Sequence, residues 1–262
     1  MINLDVKLIE HLTLLAKKFF VSSIFFLLTF LILSQAVSGQ SWRRKSKPQL
    51  DKFTFVRIEW MPKVDIRYMR YFSGPVPPWA HDFPIAEQHM YYQLDKTAAI
   101  DITNIPQVFT LQDDEIFSFP LLYICEIGVW EPENDEVDRL REYLQRGGLL
   151  IVDDFRSPPE WYNFTKQMNK IVPGYTKRKL KISDPIFHCF FDLKEIPMNS
   201  PYLRDGYIPQ FWGWYDDDGR LAAIVNYNND IGDGWELPEQ LGEFSFEAFE
   251  LGINYIIYSM TH

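Results

Sequence analysis

Only two of the 262 residues are cysteine, too few for a disulfide framework to stand in for a hydrophobic core. Both lie in apolar runs, Cys125 after Leu-Leu-Tyr-Ile and Cys189 within Ile-Phe-His-Cys-Phe-Phe. That placement predicts two buried thiols, with a single disulfide as the alternative. Positive charge is also scarce, since 26 Lys and Arg stand against 36 Asp and Glu for a net charge of −10. An acidic chain repels phosphate backbones, which excludes nucleic acid as a natural partner and leaves cationic partners, metal ions or neutral ligands. No apolar run reaches the roughly 20 residues that a spanning helix needs. An internal repeat, a low-complexity tract and a complete catalytic motif are all missing as well.

What is present begins with a leader. Lys17 and Lys18 precede a 15-residue apolar run, Phe19 to Leu33, and the small-residue stretch Ala36-Val37-Ser38-Gly39. This is the order of a signal peptide, and it predicts export to the periplasm or cell surface with cleavage after Ser38 or Gly39. The alternative is an anchor over residues 19–37 that stays uncleaved, and only then would the protein touch a membrane. The basic cluster Arg43, Arg44, Lys45 and Lys47 complicates that alternative, because positive charge favours the cytoplasmic side. Residues 1–39 thus read as leader, 40–52 as a basic linker and 53–262 as one domain. Removing 39 of 262 residues leaves 223, a length suited to a single core. The leader's three lysines (Lys7, Lys17, Lys18) exceed Asp5 and Glu10 by one, so the remainder carries about −11.

From Phe53 onward, short apolar runs alternate with segments of helical period, the pattern of strands joined by crossover helices. Strands are expected at Phe53–Trp60, Phe119–Ile127, Leu149–Val152, Lys177–Ile182 and Leu221–Tyr227. Helices are expected from about Pro84, from Asn134 or Asp135 to Gly147-Gly148, over Pro158–Ile171, and at the C-terminus through Phe249, Ile253 and Ile256. Tyr68–Pro84 is a long aromatic and proline-rich connection, and Asp216–Gly219 reads as a hairpin tip. Strand, helix and strand in so few residues imply a parallel sheet, and such sheets bind ligands beyond the carboxyl ends of their strands.

The segments that follow the strands carry His81 and Asp82, then Glu126, then Asp153 and Asp154, and finally Asn228, Asp230, Asp233 and Glu236. Four loops at one rim predict a carboxylate-rich pocket for a polar ligand or a divalent metal. The ordinary reading beside it is that loops are polar and that Asp and Asn cap helices. Asn226–Glu236 alternates oxygen side chains with glycines in the manner of a calcium loop, which makes Asn228, Asp230, Asp233 and Glu236 metal candidates. The match is loose, with Ile231 at the sixth position and Leu237 at the twelfth. The other account of this segment is a loop tightened by Asx turns, with Trp235 packed beneath it or against a ligand. His188, after Asp184-Pro-Ile-Phe, is a candidate general base alongside Asp154, although no nucleophile pairs with it.

Several separated stretches carry a resemblance: Trp79–Glu87, Gly147–Phe155, Asp184–His188, Asp217–Arg220, Asn228–Glu236 and the ending Gly252–His262. In this order they resemble the bacterial domain-of-unknown-function family numbered 4159, from about Phe53 to the end. The resemblance implies a three-layer, flavodoxin-like α/β fold similar to class I glutamine amidotransferases, with a mostly parallel sheet and helices on both faces. It also implies export signals or membrane attachment. Those amidotransferases place a nucleophilic cysteine after a glycine-led strand. Here that place holds Asp153-Asp154, and Cys125 lies on an earlier strand without a glycine elbow, so glutamine hydrolysis is not expected. The leading expectation is an exported, non-catalytic domain that binds a carbohydrate-like polar ligand or a cell-envelope protein. The alternatives are a metal-assisted hydrolase using the rim carboxylates and a structural piece of an envelope complex.

Overall fold

The central strands are apolar on both faces, as strands covered on both sides must be. In the computed structural model, β1 (Val56–Ile58), β2 (Gln107–Phe109), β3 (Leu121–Cys125), β4 (Leu149–Phe155) and β7 (Leu221–Tyr227) are buried along their whole length. The structure describes residues 49, 51–63, 76–103, 105–197 and 199–262, within a unit spanning Lys45–His262. The leader and residues 64–75 of the long connection lie outside the described residues. No helix among the described residues is long and apolar enough to cross a membrane.

One seven-stranded sheet has the order β2-β1-β3-β4-β7-β6-β5. The first five of these pair in parallel. β6 (Gln210–Tyr215) returns antiparallel to β7, and β5 (Thr176–Lys179) pairs antiparallel with β6 at the edge. The Asp216–Gly219 tip joins β6 to β7, with Gly219 at φ 80° and the Asp216 carboxylate accepting from the backbone of Asp218 and Arg220.

Helices cover both faces. Tyr123, Ile151 and Ile224 share a core cluster with Met90 and Leu94 of α1 (Ile85–Thr97) and with Phe249, Ile253 and Ile256 of α6 (Glu243–Thr261). Alternate residues point the other way: Leu150 pairs with Ala223 and Ala223 with Trp214. On that side the Trp214 ring meets Trp161 and Phe164 of α3 (Ser157–Ile171). α2 (Asn134–Gln145) packs beside α3. Glu133 and Glu136 form a reciprocal capping box at the start of α2, one residue before the expected cap. Gly147, at φ 103°, closes its C-terminus.

The sheet departs from expectation in three places. β2 was not anticipated, since three residues after Pro106 are too few to show a period. β1, β3 and β5 are shorter than expected, although Phe55, Glu59 and Leu180 beyond their ends still bond the neighbouring strands. The third departure is the most consequential: Ile231–Glu236 is a short helix, α4, rather than an irregular loop. Two glycines hide it from propensity. It forms because Asp230 accepts the Asp233 N–H at 2.9 Å while Asp153 accepts those of Ile231 and Gly232 at 3.3 and 3.0 Å. A four-residue helix, α5 (Pro238–Leu241), then leads into α6.

Candidate functional site

β1, β3, β4 and β7 are neighbours and run parallel, so the segments that leave their carboxyl ends emerge along one edge. The segment after β1 is held down by Arg57, a fully buried side chain in the middle of that strand. Its Nε donates to Glu87 Oε1 at 2.6 Å, and its Nη1 donates to the carbonyls of Trp79 and His81 at 3.1 and 2.5 Å. Burial opposes the guanidinium charge, but Glu87 together with Cys125, Tyr123 and Asp82 outweighs it and keeps Arg57 ionised. The bond to the His81 carbonyl sets the position of His81 and Asp82.

At the end of β4 the register shifts between Val152 and Phe155, with Asp154 at φ 52°. This bulge re-aims consecutive side chains. Asp153 turns into the core and is fully bonded, by Tyr123 Oη at 2.8 Å, Asn226 Nδ2 at 3.1 Å and the start of α4. Burial and the Asp154 charge nevertheless push its carboxyl up to about 7. One Asp154 oxygen accepts the Tyr202 hydroxyl. Its other oxygen, Oδ2, is buried without a hydrogen-bond partner, as are both oxygens of Asp82.

These orphaned oxygens face further donors. His81 Nδ1 lies 3.0 Å from Asp82 Oδ1 and 3.2 Å from Asp154 Oδ2, within ion-pair reach but off the hydrogen-bonding direction. Ligand atoms of His81, Asp82 and Asp154 lie within 4.8 Å of one another, and so do those of His81, Asp230 and Asp233, and those of Asp82, Asp233 and Glu236. The α4 backbone comes close enough that a Cβ at Gly232 would sit 2.5 Å from Asp82 Oδ2.

The electrostatics match the crowding. The carboxylates of Asp154 and Asp82 push the His81 imidazole up to about 11. Burial followed by neighbouring acids raises Asp233 to about 6, Glu126 to about 9 and Asp230 well above the carboxylate range. Glu236 is raised mainly by burial. Raised carboxyls beside a raised imidazole are what buried acids crowded around one histidine produce. Backbone strain gathers here too: Asp82, Glu126, Asp154 and Asn228 have φ of 63, 55, 52 and 58°, left-handed conformations that cluster at functional sites.

Of the residues singled out from sequence, the structure brings Asp82, Asp154, Asp230, Asp233 and Glu236 together. Glu126 stands beside them, and its carboxyl feels Asp154 and His81. Asp153 anchors α4 from below. Asn228 is occupied as a brace, since its Oδ1 accepts from Ser157 N at 3.1 Å and its Nδ2 donates to the Ile208 carbonyl at 3.1 Å. Trp235 is completely buried, edge-on to Phe55 and tilted against Tyr123, with Nε1 donating to the Ala248 carbonyl. It is a core residue of the α1/α6 face. His188 bonds Asp192 at 2.6 Å and the Ile182 carbonyl at 2.5 Å, and it shares no bond with the rim acids among the described residues. Sequence reasoning placed His81 beside Asp82 at the rim without giving it a role, and it missed Tyr202 and Arg57. A charged residue inside the buried run Phe55–Ile58 was the available signal for Arg57; Tyr202 had none.

The family model for the domain of unknown function DUF4159 matches residues 65–260. The chain belongs to this family. The matched span includes every rim residue from His81 to Glu236. Comparison with curated proteins finds no match.

Both cysteines are free. Cys125 is buried against Arg57 Nη1 at 3.1 Å, and burial holds its thiol well above the usual range. That is the environment of an inert thiol rather than a nucleophile. Chemically, the DUF4159 rim offers hard oxygen ligands and one imidazole, an arrangement suited to Mg²⁺, Mn²⁺ or Zn²⁺.

Proposed function

We propose that this DUF4159 chain holds a divalent cation at the sheet rim and uses it for hydrolysis of a polar substrate. The observation that carries the reading is the set of orphaned, buried carboxylate oxygens of Asp82 and Asp154, converging with His81, Asp230, Asp233 and Glu236. A buried carboxylate oxygen without a hydrogen bond is costly, and a cation at this place removes the cost for several acids at once. A bound cation would polarise a substrate oxygen and lower the pKa of a coordinated water, turning it into a nucleophile near neutral pH.

The fold reading that accompanies this is flavodoxin-like and akin to class I glutamine amidotransferases. Its support is the order of the parallel strands, β2-β1-β3-β4-β7, which follows the flavodoxin-like order with β7 in fifth place. In that order ligands sit where β1 and β3 diverge, and His81, Asp82 and Glu126 leave those two strands. The acids at the end of β4 then take over a place where amidotransferases carry their thiol. The lysine pair, apolar run and small residues of the leader support an exported location, the periplasm or the cell surface.

The test is calorimetric titration of the purified full chain with Mg²⁺, Mn²⁺, Ca²⁺ and Zn²⁺ after treatment with a chelator, beside Asp82→Asn. Asparagine tolerates the left-handed backbone at this position, so the variant removes charge without removing shape. Binding of at least one cation, weakened by Asp82→Asn, is expected. Silence from all four cations overturns the proposal. Cation binding without turnover of any ester, amide or glycoside would leave a non-catalytic domain that binds a polar ligand.

A further inference from the structure

We infer that the substrate of this rim carries an oxyanion, a phosphate or carboxylate group, held between the cation and the guanidinium of Arg156. The inference deepens the cation reading and rests on it.

Arg156 is the residue before α3 and follows the β4 bulge by two positions. Its backbone N–H donates to Glu160 at 2.7 Å, but its guanidinium has no hydrogen bond or ion pair among the described residues. The side chain instead lies over the Tyr202 ring, 4.2 Å from the centroid. That same tyrosine donates its hydroxyl to Asp154. The free guanidinium is therefore one side chain away from the orphaned Asp154 Oδ2.

An arginine without a carboxylate partner is unexpected in so acidic a place. The charges of Asp154, Glu160 and Glu126 all reach Arg156, yet none of these groups takes a bond from it. Stacking on an aromatic face leaves the in-plane N–H edges of a guanidinium open, and those edges match a carboxylate or phosphate in bidentate fashion. Without a cation the rim acids repel any anion. With one, the cation and Arg156 form two positive ends on either side of Asp154. Anion binding is then dependent on the cation and, by reciprocity, the anion tightens cation binding by the same factor.

The experiment titrates inorganic phosphate, and acetate in a parallel arm, into the full chain with saturating cation and again in chelator. Wild type is expected to bind one of the two anions only with cation present, which also tells phosphate from carboxylate. Arg156→Gln weakens that binding about tenfold or more, Arg156→Lys weakens it less, and both keep the cation affinity of wild type within about twofold. Arg156→Lys retains a cation over the Tyr202 ring, so it serves if Arg156→Gln fails to fold. Unchanged anion binding in both variants overturns the inference, as does a wild type that binds neither anion. A chain that takes up cation but is indifferent to Arg156 loses this inference alone. A chain that takes up no cation loses the cation reading and this one together.

Discussion

Asp233→Asn separates a site built for a cation from a merely acidic rim, because the two make opposite demands on stability. In the metal-free protein, burial and the charges of Asp82 and Asp154 raise the Asp233 carboxyl to about 6, against about 3.9 in an unfolded chain. The folded state resists ionisation, so a penalty begins as pH rises above about 4 and is complete above about pH 6 to 7. Two pKa units correspond to about 3 kcal/mol, and solvent screening of this incompletely buried group reduces that to about 1 to 2 kcal/mol. Asparagine removes the penalty. In chelator at pH 7.5 the variant should melt higher than wild type by about 2 to 8 °C, and the gain should vanish near pH 4. Saturating cation reverses the order. At a hundred times its dissociation constant a ligand stabilises the folded state by about 2.7 kcal/mol. Asp233 belongs to two of the three overlapping ligand groups, so the variant loses most of that gain. Thermal melts in chelator and in each cation read both halves. An Asp233→Asn protein that melts below wild type in chelator, or gains as much from cation as wild type does, refutes the reasoning.

Three further outcomes are expected. Arg57→Met strands Glu87 in the core and should cost about 3 to 5 kcal/mol in urea unfolding, whereas Arg57→Met combined with Glu87→Leu should recover most of the stability. Cation affinity should stay low in both, because the His81 carbonyl has lost its anchor; full affinity in the double variant would show that Arg57 does not position the site. Trp235→Ala should cost about 3 to 5 kcal/mol, and a small change in stability with a large loss of ligand binding would contradict its place in the core. Asp184 receives both guanidinium nitrogens of Arg178, at 2.8 and 2.9 Å; burial pushes its carboxyl up, but Arg178 and the Lys181 backbone N–H together outweigh that and hold it below its ordinary value. Its contribution is therefore complete above the unfolded pKa and disappears as pH falls through the folded one, so Asp184→Asn should lower the melting temperature at pH 7 and approach wild type only at a pH below the ordinary carboxylate range. An equal deficit at both pH values would rule that sign out.

The rim was partly legible from sequence for a local reason. Asp153 and Asp154 directly follow an apolar run, Asp82, Asp230 and Glu236 lie in segments that follow such runs, and in a parallel sheet the ends of the runs share an edge. The β6–β7 hairpin, the glycine stop after α2 and the apolar period of α6 are equally local, since turn chemistry and periodicity act over a few residues. α4 was hidden because its two glycines argue against a helix, and bonds from Asp153, across 78 and 79 positions of sequence, join the Asp230 cap in overcoming them.

Sequence alone determined the class of fold, the charge of the domain and the end of the sheet where acids accumulate, since each of these depends on composition or on neighbours along the chain. Tertiary structure decided which acids meet. His81 turned inward because Arg57 grips its carbonyl, Tyr202 and Arg156 arrived from segments 46 positions apart, and Trp235 and His188 went elsewhere. The reason is that a ligand site is set by distances through space, and those exist only once the whole core has packed.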